Sequence, residues 1–132
     1  MRNFILGFNT ETTGLPDWQK PSGDECQPHI VKICAALFDD DKKEVVQSMN
    51  VIVKPESWDI PQEAIDVHGI TVEHAMYVGV TEETALNMFL EMWAGRTRIA
   101  HNTTFDNRII LIAIKRYCSN VVIDKWDKGK QG

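Results

Sequence analysis

The order of apolar segments along the chain is the feature that most limits its fold. Residues 4–8, 30–38 and 44–54 are short runs with the length and side-chain types of β-strands. The second and third runs are separated by the charged stretch DDDKK, which predicts a hairpin turn. The chain is therefore predicted to begin with three strands, of which the last two are antiparallel neighbours.

Two helices are predicted after the third strand. The first begins near Pro61 and ends at Gly69, because glycine readily adopts the left-handed conformation that ends a helix. The second follows Thr81, whose hydroxyl is suited to the N-cap position, and runs to about Trp93.

The rest of the chain alternates between strand and helix. It is predicted as a strand at 97–101, a helix at about 104–117 and a strand at 120–124. Five strands with flanking helices describe a mixed α/β sheet. Residues 15–29 are rich in Pro, Gly and polar residues and are predicted to form a long loop.

Composition indicates a small soluble domain. The chain has 132 residues, of which 43% are hydrophobic and 25% charged, as is usual for one globular domain. No apolar run is long enough to cross a bilayer, and the first residues do not resemble a signal peptide. Three widely spaced cysteines, Cys26, Cys34 and Cys118, do not have zinc-ligand spacing and predict a reduced, cytoplasmic protein. The net charge of −5 argues against a broad basic surface for duplex DNA, but it allows an acidic pocket that binds cations.

The first candidate site is the segment GFNTETTG, residues 7–14, at the end of the first strand. Side chains alternate faces along a strand, so Asn9 and Glu11 are expected on one face and Thr10 on the other. Oxygen ligands at this spacing could bind hard cations such as Mg²⁺ or Mn²⁺. By itself the pair is a weak indication, because a polar strand end leading into a turn is the commoner explanation.

A second candidate cluster lies in RIAHNTTFDNRIILIAI, residues 98–114. His101 and Asn102 are predicted at a strand end, and Asp106 in the first turn of a strongly apolar helix. An acid at a helix start has a structural explanation, because it complements the positive end of the helix dipole. The same helix would also hold Asp106 rigidly beside the sheet, where it could complete a cation site with Glu11.

Four segments resemble the DEDD superfamily of 3′–5′ exonucleases in their order and spacing. They are FNTETTGLP, PHIVKICAALFD, AIDVHGITVEHA and IAHNTTFDNRII. The resemblance runs from Phe4 to about Ile114 and is to the DEDDh branch, which includes RNase T and the proofreading epsilon subunit of DNA polymerase III. It implies a ribonuclease H-like fold and hydrolysis of phosphodiester bonds from a 3′ end by two divalent ions, Mg²⁺ or Mn²⁺.

The resemblance also implies roles for individual residues. Asn9 matches the first acid of the family, Glu11 the second and Asp106 the third, and these three are the predicted catalytic and metal-binding residues. The predicted substrate-binding residues are Thr10, Thr12, Thr13, Gly14, His68, His101 and Asn102. The implied partners are the 3′ end of single-stranded DNA or RNA, a DNA polymerase subunit and a second copy of the chain. Trp18 in the long loop is expected to be a partly buried anchor, with stacking on a base of such a strand as the alternative.

Two departures from the family pattern predict a chain that is inactive or impaired. Asn9 offers one neutral carbonyl oxygen where an aspartate would offer a charged carboxylate. The family's later H-x-x-x-x-D segment, which supplies the general base and the fourth acid, does not follow Asp106; His101 and Asp106 fit its spacing but belong to the third-acid segment. Residues 1–132 are therefore expected to be an exonuclease domain that lacks the last helix of the fold. The alternative is a non-catalytic module that binds single-stranded nucleic acid or a polymerase.

Overall fold

The computed structural model describes residues 3–132 and contains a mixed arrangement of strands and helices over this range. The elements are β1 Phe4–Thr12, β2 Ile30–Asp39, β3 Glu44–Ile52, α1 Gln62–His68, α2 Val72–Val78, α3 Glu82–Trp93, β4 Thr97–Ala100, α4 Thr103–Tyr117 and α5 Asn120–Asp127. The predicted α/β class is confirmed. No helix within residues 3–132 combines the length and apolar character that a membrane span needs.

The strands form one mixed sheet in the order β3-β2-β1-β4. β2 pairs antiparallel with both β1 and β3, which confirms the predicted hairpin. β4 pairs parallel with β1. A parallel neighbour cannot be reached by a tight turn, and α1, α2 and α3 lie in the long connection that leads to β4.

Alternation along β1 separates packing residues from candidate site residues. Leu6, Phe8 and Thr10 are buried, whereas Asn9 and Glu11 are half-buried. Side chains two apart share a face of a strand, so the buried set packs against α3, α4 and α5. Asn9 and Glu11 therefore lie on the opposite, less covered face, as the sequence predicts.

The predicted fifth strand at 120–124 is wrong. These residues belong to α5, Asn120–Asp127. The helical conformation brings Trp126 into the core, where it is 1% exposed and makes edge-to-face contacts with Phe89 and Trp93 at centroid distances of 5.9 and 4.9 Å. Burial of this large side chain outweighs the β preference of the Val-Val-Ile run. The sheet consequently has four strands rather than five among the described residues.

The predicted helix signals are otherwise confirmed. The Thr81 hydroxyl accepts a hydrogen bond from the backbone N–H of Thr84 at 3.2 Å, as an N-cap should. Gly69 follows α1 with a φ of 75°, which glycine adopts without strain. Helix α2 is absent from the sequence-based prediction, although the Thr71 hydroxyl caps it by accepting a hydrogen bond from the His74 backbone N–H at 3.1 Å.

Candidate active site

The end of β1 borders a cavity of about 590 Å³, here called the β1 cavity. It is formed by three separate parts of the chain: the end of β1 with its following turn, helix α1, and the start of α4. Its lining residues are Glu11, Thr12, Thr13, Gly14, Leu15, Glu63, Ala64, Val67, His68, Asn102 and Phe105. The fold thus brings into one cavity five of the predicted substrate-binding residues, namely Thr12, Thr13, Gly14, His68 and Asn102.

Glu11 is the predicted site acid that faces this cavity. It lies opposite Lys32 in the β1–β2 register, yet no ion pair joins the two side chains. Its carboxylate makes no hydrogen bond or ion pair with any residue in the range 3–132. Glu11 therefore presents a free negative charge to a cation or to the donors of a ligand.

Asp106 has a different environment. It is 2% exposed, and its Oδ1 accepts hydrogen bonds from the Thr10 backbone N–H at 3.0 Å and the Thr10 hydroxyl at 2.7 Å. Its Oδ2 accepts a hydrogen bond from the Asn102 backbone N–H at 2.9 Å. The structure therefore holds Asp106 rigidly beside the sheet, as expected, but on the Thr10 side of β1 and outside the lining of the β1 cavity.

Asn9 lies beside a second cavity of about 560 Å³ on the less covered face of the sheet, here called the sheet-face cavity. His101 lines the same cavity. Because Asn9 and Glu11 are two residues apart on one strand face, the two cavities are neighbours. The predicted site residues are thus distributed over the β1 cavity, the sheet-face cavity and the buried Asp106–Thr10 contact.

The described side chains fit a two-ion site poorly on their own. Glu11 supplies a free carboxylate and Asn9 a neutral amide oxygen, whereas both Asp106 oxygens already accept hydrogen bonds. Within residues 3–132 there is no group of three or more His, Cys, Asp or Glu side chains that could hold a metal ion. Divalent ions of the Mg²⁺ type require several oxygen ligands, usually with more than one carboxylate. The assignment of Asn9, Glu11 and Asp106 as ligands stays a prediction.

His68 lines the β1 cavity and has one unused hydrogen-bond donor. Its Nδ1 accepts a hydrogen bond from the backbone N–H of Ile70 at 3.1 Å, so the proton of the neutral ring is on Nε2. That Nε2 is buried and has no partner among the described residues. A buried donor without a partner costs free energy, which a bound acceptor would recover.

A buried charged cluster that sequence reasoning missed lies next to this site. Glu82 is fully buried, and its carboxylate accepts hydrogen bonds from the Ile30 backbone N–H at 2.7 Å and the Tyr117 hydroxyl at 2.8 Å. His29 Nδ1 lies 2.8 Å from Oε1, and Arg116 Nη1 donates to the same oxygen at 3.3 Å. Burial acts to raise the pKa of Glu82, but the hydrogen bonds from His29, Ile30 and Tyr117 and the nearby His29 charge outweigh it and lower the pKa.

The Glu82 cluster positions the turn that lines the β1 cavity. His29 ends the long loop and exchanges two hydrogen bonds with Thr13, each 3.0 Å long. The His29 ring also stacks on Trp58 at a centroid distance of 4.4 Å. In the sequence Glu82 looks like an ordinary acid in the first turn of a helix, so no local pattern reveals its partners.

Residues 6–128 match the RNase T family of exonucleases. The chain therefore belongs to this family, and the resemblance to the DEDD superfamily of 3′–5′ exonucleases is confirmed. No curated protein matches the sequence significantly.

Solved structures of exonuclease I share the fold. Exonuclease I from Methylocaldum szegediense matches with a TM-score of 0.70 and 17% identity over 85% of this chain and 23% of that chain. E. coli Exonuclease I in complex with a dT13 oligonucleotide matches with a TM-score of 0.76 and 16% identity over 98% of this chain and 27% of that chain. A product-bound exonuclease I matches with a TM-score of 0.75 and 18% identity over 100% of this chain and 30% of that chain. The predicted ribonuclease H-like fold is confirmed, and the chain spans between 23% and 30% of the length of these proteins.

Proposed function

We propose that this domain binds the 3′ end of a single nucleic-acid strand in the β1 cavity, as part of a 3′–5′ exonuclease. We further propose that the chain with Asn9 retains this binding and is impaired in hydrolysis. The observation that carries the proposal is the β1 cavity itself, in which a free acid, a turn with accessible backbone and His68 meet in a chain of an exonuclease family.

The turn after β1 is suited to close approach of a sugar-phosphate chain. A Cβ atom added to Gly14 would have no neighbour within 4 Å, so the backbone there faces open space. The turn is held by the Thr12 hydroxyl, which donates to the Gly14 carbonyl oxygen at 2.7 Å. Leu15, 81% exposed, and Val67, 82% exposed, supply apolar surface on the cavity wall. Such surface can pack against a base or sugar without selecting the base type.

His68 supports binding of an acceptor-rich ligand. Its unpartnered Nε2 belongs to a residue that lines the cavity, and nucleic-acid phosphates and bases offer acceptors. Asn102 is at the N-cap of α4, where backbone N–H groups and the helix dipole favour negative charge. Both features favour a polyanionic strand over an apolar ligand.

The reduced catalytic capacity follows from the charge at position 9. In an intact family site, two divalent ions, Mg²⁺ or Mn²⁺, would activate water and stabilise the leaving oxygen. Asn9 removes a negative charge where the family has its first acid, and Glu11 is left as the free carboxylate in the cavity. We therefore expect a loss of several orders of magnitude in the rate of hydrolysis, with the fold preserved.

A paired assay tests binding and hydrolysis separately. Fluorescent single-stranded DNA and RNA with a free or a blocked 3′ end would be incubated with the chain and Mn²⁺, and both shortening and affinity would be measured. We expect preferential binding of the free 3′ end with slow or no shortening, and faster shortening by Asn9→Asp. Glu11→Gln in the Asn9→Asp background serves as the control that removes the Glu11 carboxylate from the cavity. Equal affinity for free and blocked ends would contradict 3′-end recognition.

The second candidate function is a non-catalytic module that binds single-stranded nucleic acid or a polymerase. The hydrogen bonds that occupy both Asp106 oxygens favour it, because they assign this acid a structural role. Tight binding without shortening, by both the parent chain and Asn9→Asp, would select this function.

Further assignments from the sequence stay proposals. They are a single exonuclease domain at residues 1–132, a cytoplasmic location, and association with a DNA polymerase subunit or a second copy of the chain. The coverage of 23% to 30% of the exonuclease I chains supports the view that such a domain works within a larger protein.

A further inference from the structure

Trp18 is an exposed tryptophan in the long loop. The sequence predicts a partly buried anchor, and the structure leaves 54% of the side chain exposed. The guanidinium of Arg108 lies over the indole ring with Cζ 5.0 Å from its centroid. Arg108 belongs to α4 and Trp18 to the loop, so the contact joins two separate parts of the chain. The guanidinium packs on the ring, and the exposed part of the indole is accessible to a ligand.

This pair lies directly beyond the β1 cavity. Arg108 follows the cavity residue Phe105 by three positions on α4, which places it on the same helix face about one turn, roughly 5 Å, away. Trp18 likewise follows the cavity residue Leu15 by three positions. Arg108 therefore lies about one helix turn from the cavity residue Phe105, and the contact between Arg108 and Trp18 places the pair beside the β1 cavity, although neither residue is part of its lining.

The chemistry of the pair suits a nucleotide. An indole face stacks on any base, whereas a guanidinium attracts a phosphate and forms directed hydrogen bonds with it. Arg108 has donors available, since its Nη1 makes no hydrogen bond with any residue in the range 3–132 and its Nη2 makes only a long contact of 3.4 Å with the Lys20 carbonyl oxygen. The neighbouring acid Asp17 uses its carboxylate to accept a hydrogen bond from the Gln19 backbone N–H at 3.0 Å, within its own loop.

We propose that Trp18 and Arg108 form a second nucleotide subsite, which binds the strand on the 5′ side of the nucleotides held in the β1 cavity. Trp18 stacks on a base, and Arg108 holds the indole from behind while it contacts the adjacent phosphate. This inference rests on the proposed binding of a 3′ end in the β1 cavity. It adds a direction for the strand and a dependence of affinity on strand length.

Oligonucleotide length separates this subsite from the cavity. Affinities of a thymidine dinucleotide and a thymidine hexanucleotide would be measured by fluorescence anisotropy for the parent chain, Trp18→Ala and Trp18→Phe. Trp18→Ala is expected to weaken hexanucleotide binding roughly tenfold and to leave dinucleotide binding unchanged. Trp18→Phe should restore most of the hexanucleotide affinity, because it keeps an aromatic face. Tyr77→Ala, which removes another exposed aromatic side chain outside the β1 cavity lining, is the matched control.

Two further measurements test the roles of the two side chains. Base stacking should quench Trp18 emission, so the hexanucleotide should quench the parent chain more than Trp18→Phe. Arg108→Gln should make the plot of log affinity for the hexanucleotide against log salt concentration less steep, by about the contribution of one phosphate contact. Equal loss of affinity for both oligonucleotides in Trp18→Ala, or no loss for either, would overturn the subsite while leaving the proposed function intact. Failure of the parent chain to bind either oligonucleotide would overturn both proposals.

Discussion

The buried carboxylate of Glu82 is expected to be the most sensitive single position for stability. It accepts hydrogen bonds from the Ile30 backbone, Tyr117 and Arg116 and lies in hydrogen-bond contact with His29. Glu82→Ala removes the acceptor for all four groups while the fold keeps them in place. Breaking a buried charged pair by removing one partner costs about 3–5 kcal/mol. Domains are typically stable by only about 5–15 kcal/mol, so this substitution should remove a large part of the stability.

Chemical unfolding followed by circular dichroism would measure the loss. The matched control is Glu83→Ala, because Glu83 is the next residue of the same helix turn and is exposed. The control should change the free energy of unfolding by less than about 0.5 kcal/mol. Adding Tyr117→Phe to Glu82→Ala should cost less than Tyr117→Phe alone, because the two side chains share one hydrogen bond.

The result that would refute this reasoning is a Glu82→Ala variant as stable as Glu83→Ala. It would mean that solvent or rearranged side chains satisfy the four partners, so that the cluster does not fasten the loop to helices α3 and α4. Strict additivity of Glu82→Ala and Tyr117→Phe would contradict the pairwise contact specifically.

Three further predictions follow from the same contacts. The pKa of Glu82 is lower in the folded state than its ordinary value of 4.5, so the Glu82 carboxylate stabilises the fold above pH 4.5 and loses this effect as the pH falls through the lowered pKa. The difference in urea midpoint between the parent chain and Glu82→Gln should therefore become smaller as the pH is reduced below 4.5. Asp106→Ala should destabilise by about 2–4 kcal/mol, because two donors of Thr10 and one of Asn102 lose a buried acceptor. Thermal unfolding would show it, and an unchanged Tm would contradict the structural role of this acid. Trp126→Ala should cost about 3–5 kcal/mol and lower the helical circular dichroism signal, since α5 is held to the core by this side chain; a loss below 1 kcal/mol would argue against a docked α5.

Local patterns in the sequence were sufficient for much of the fold. The strands β1 to β3, the β2–β3 hairpin and the capped start of α3 were all predicted, because each depends on residues close together in the chain. The alternation that places Asn9 and Glu11 on one face of β1 is equally local. The family resemblance predicted which separate segments contribute residues to one site, and these segments meet in the β1 cavity. No single local pattern could have predicted this.

Tertiary structure decided the features that depend on contacts between residues far apart in the sequence. Residues 120–124 are helical because Trp126 packs in the core, although their own preference is for a strand. Asp106 has a carboxylate that could bind a metal ion, yet its oxygens accept hydrogen bonds from the backbone N–H groups of Thr10 and Asn102. Glu82 and Trp18 contact partners on other elements of the fold, which no local pattern in the sequence indicates. Sequence patterns record the periodicity of neighbours, whereas burial and hydrogen-bond partners depend on which remote groups the fold brings within contact distance.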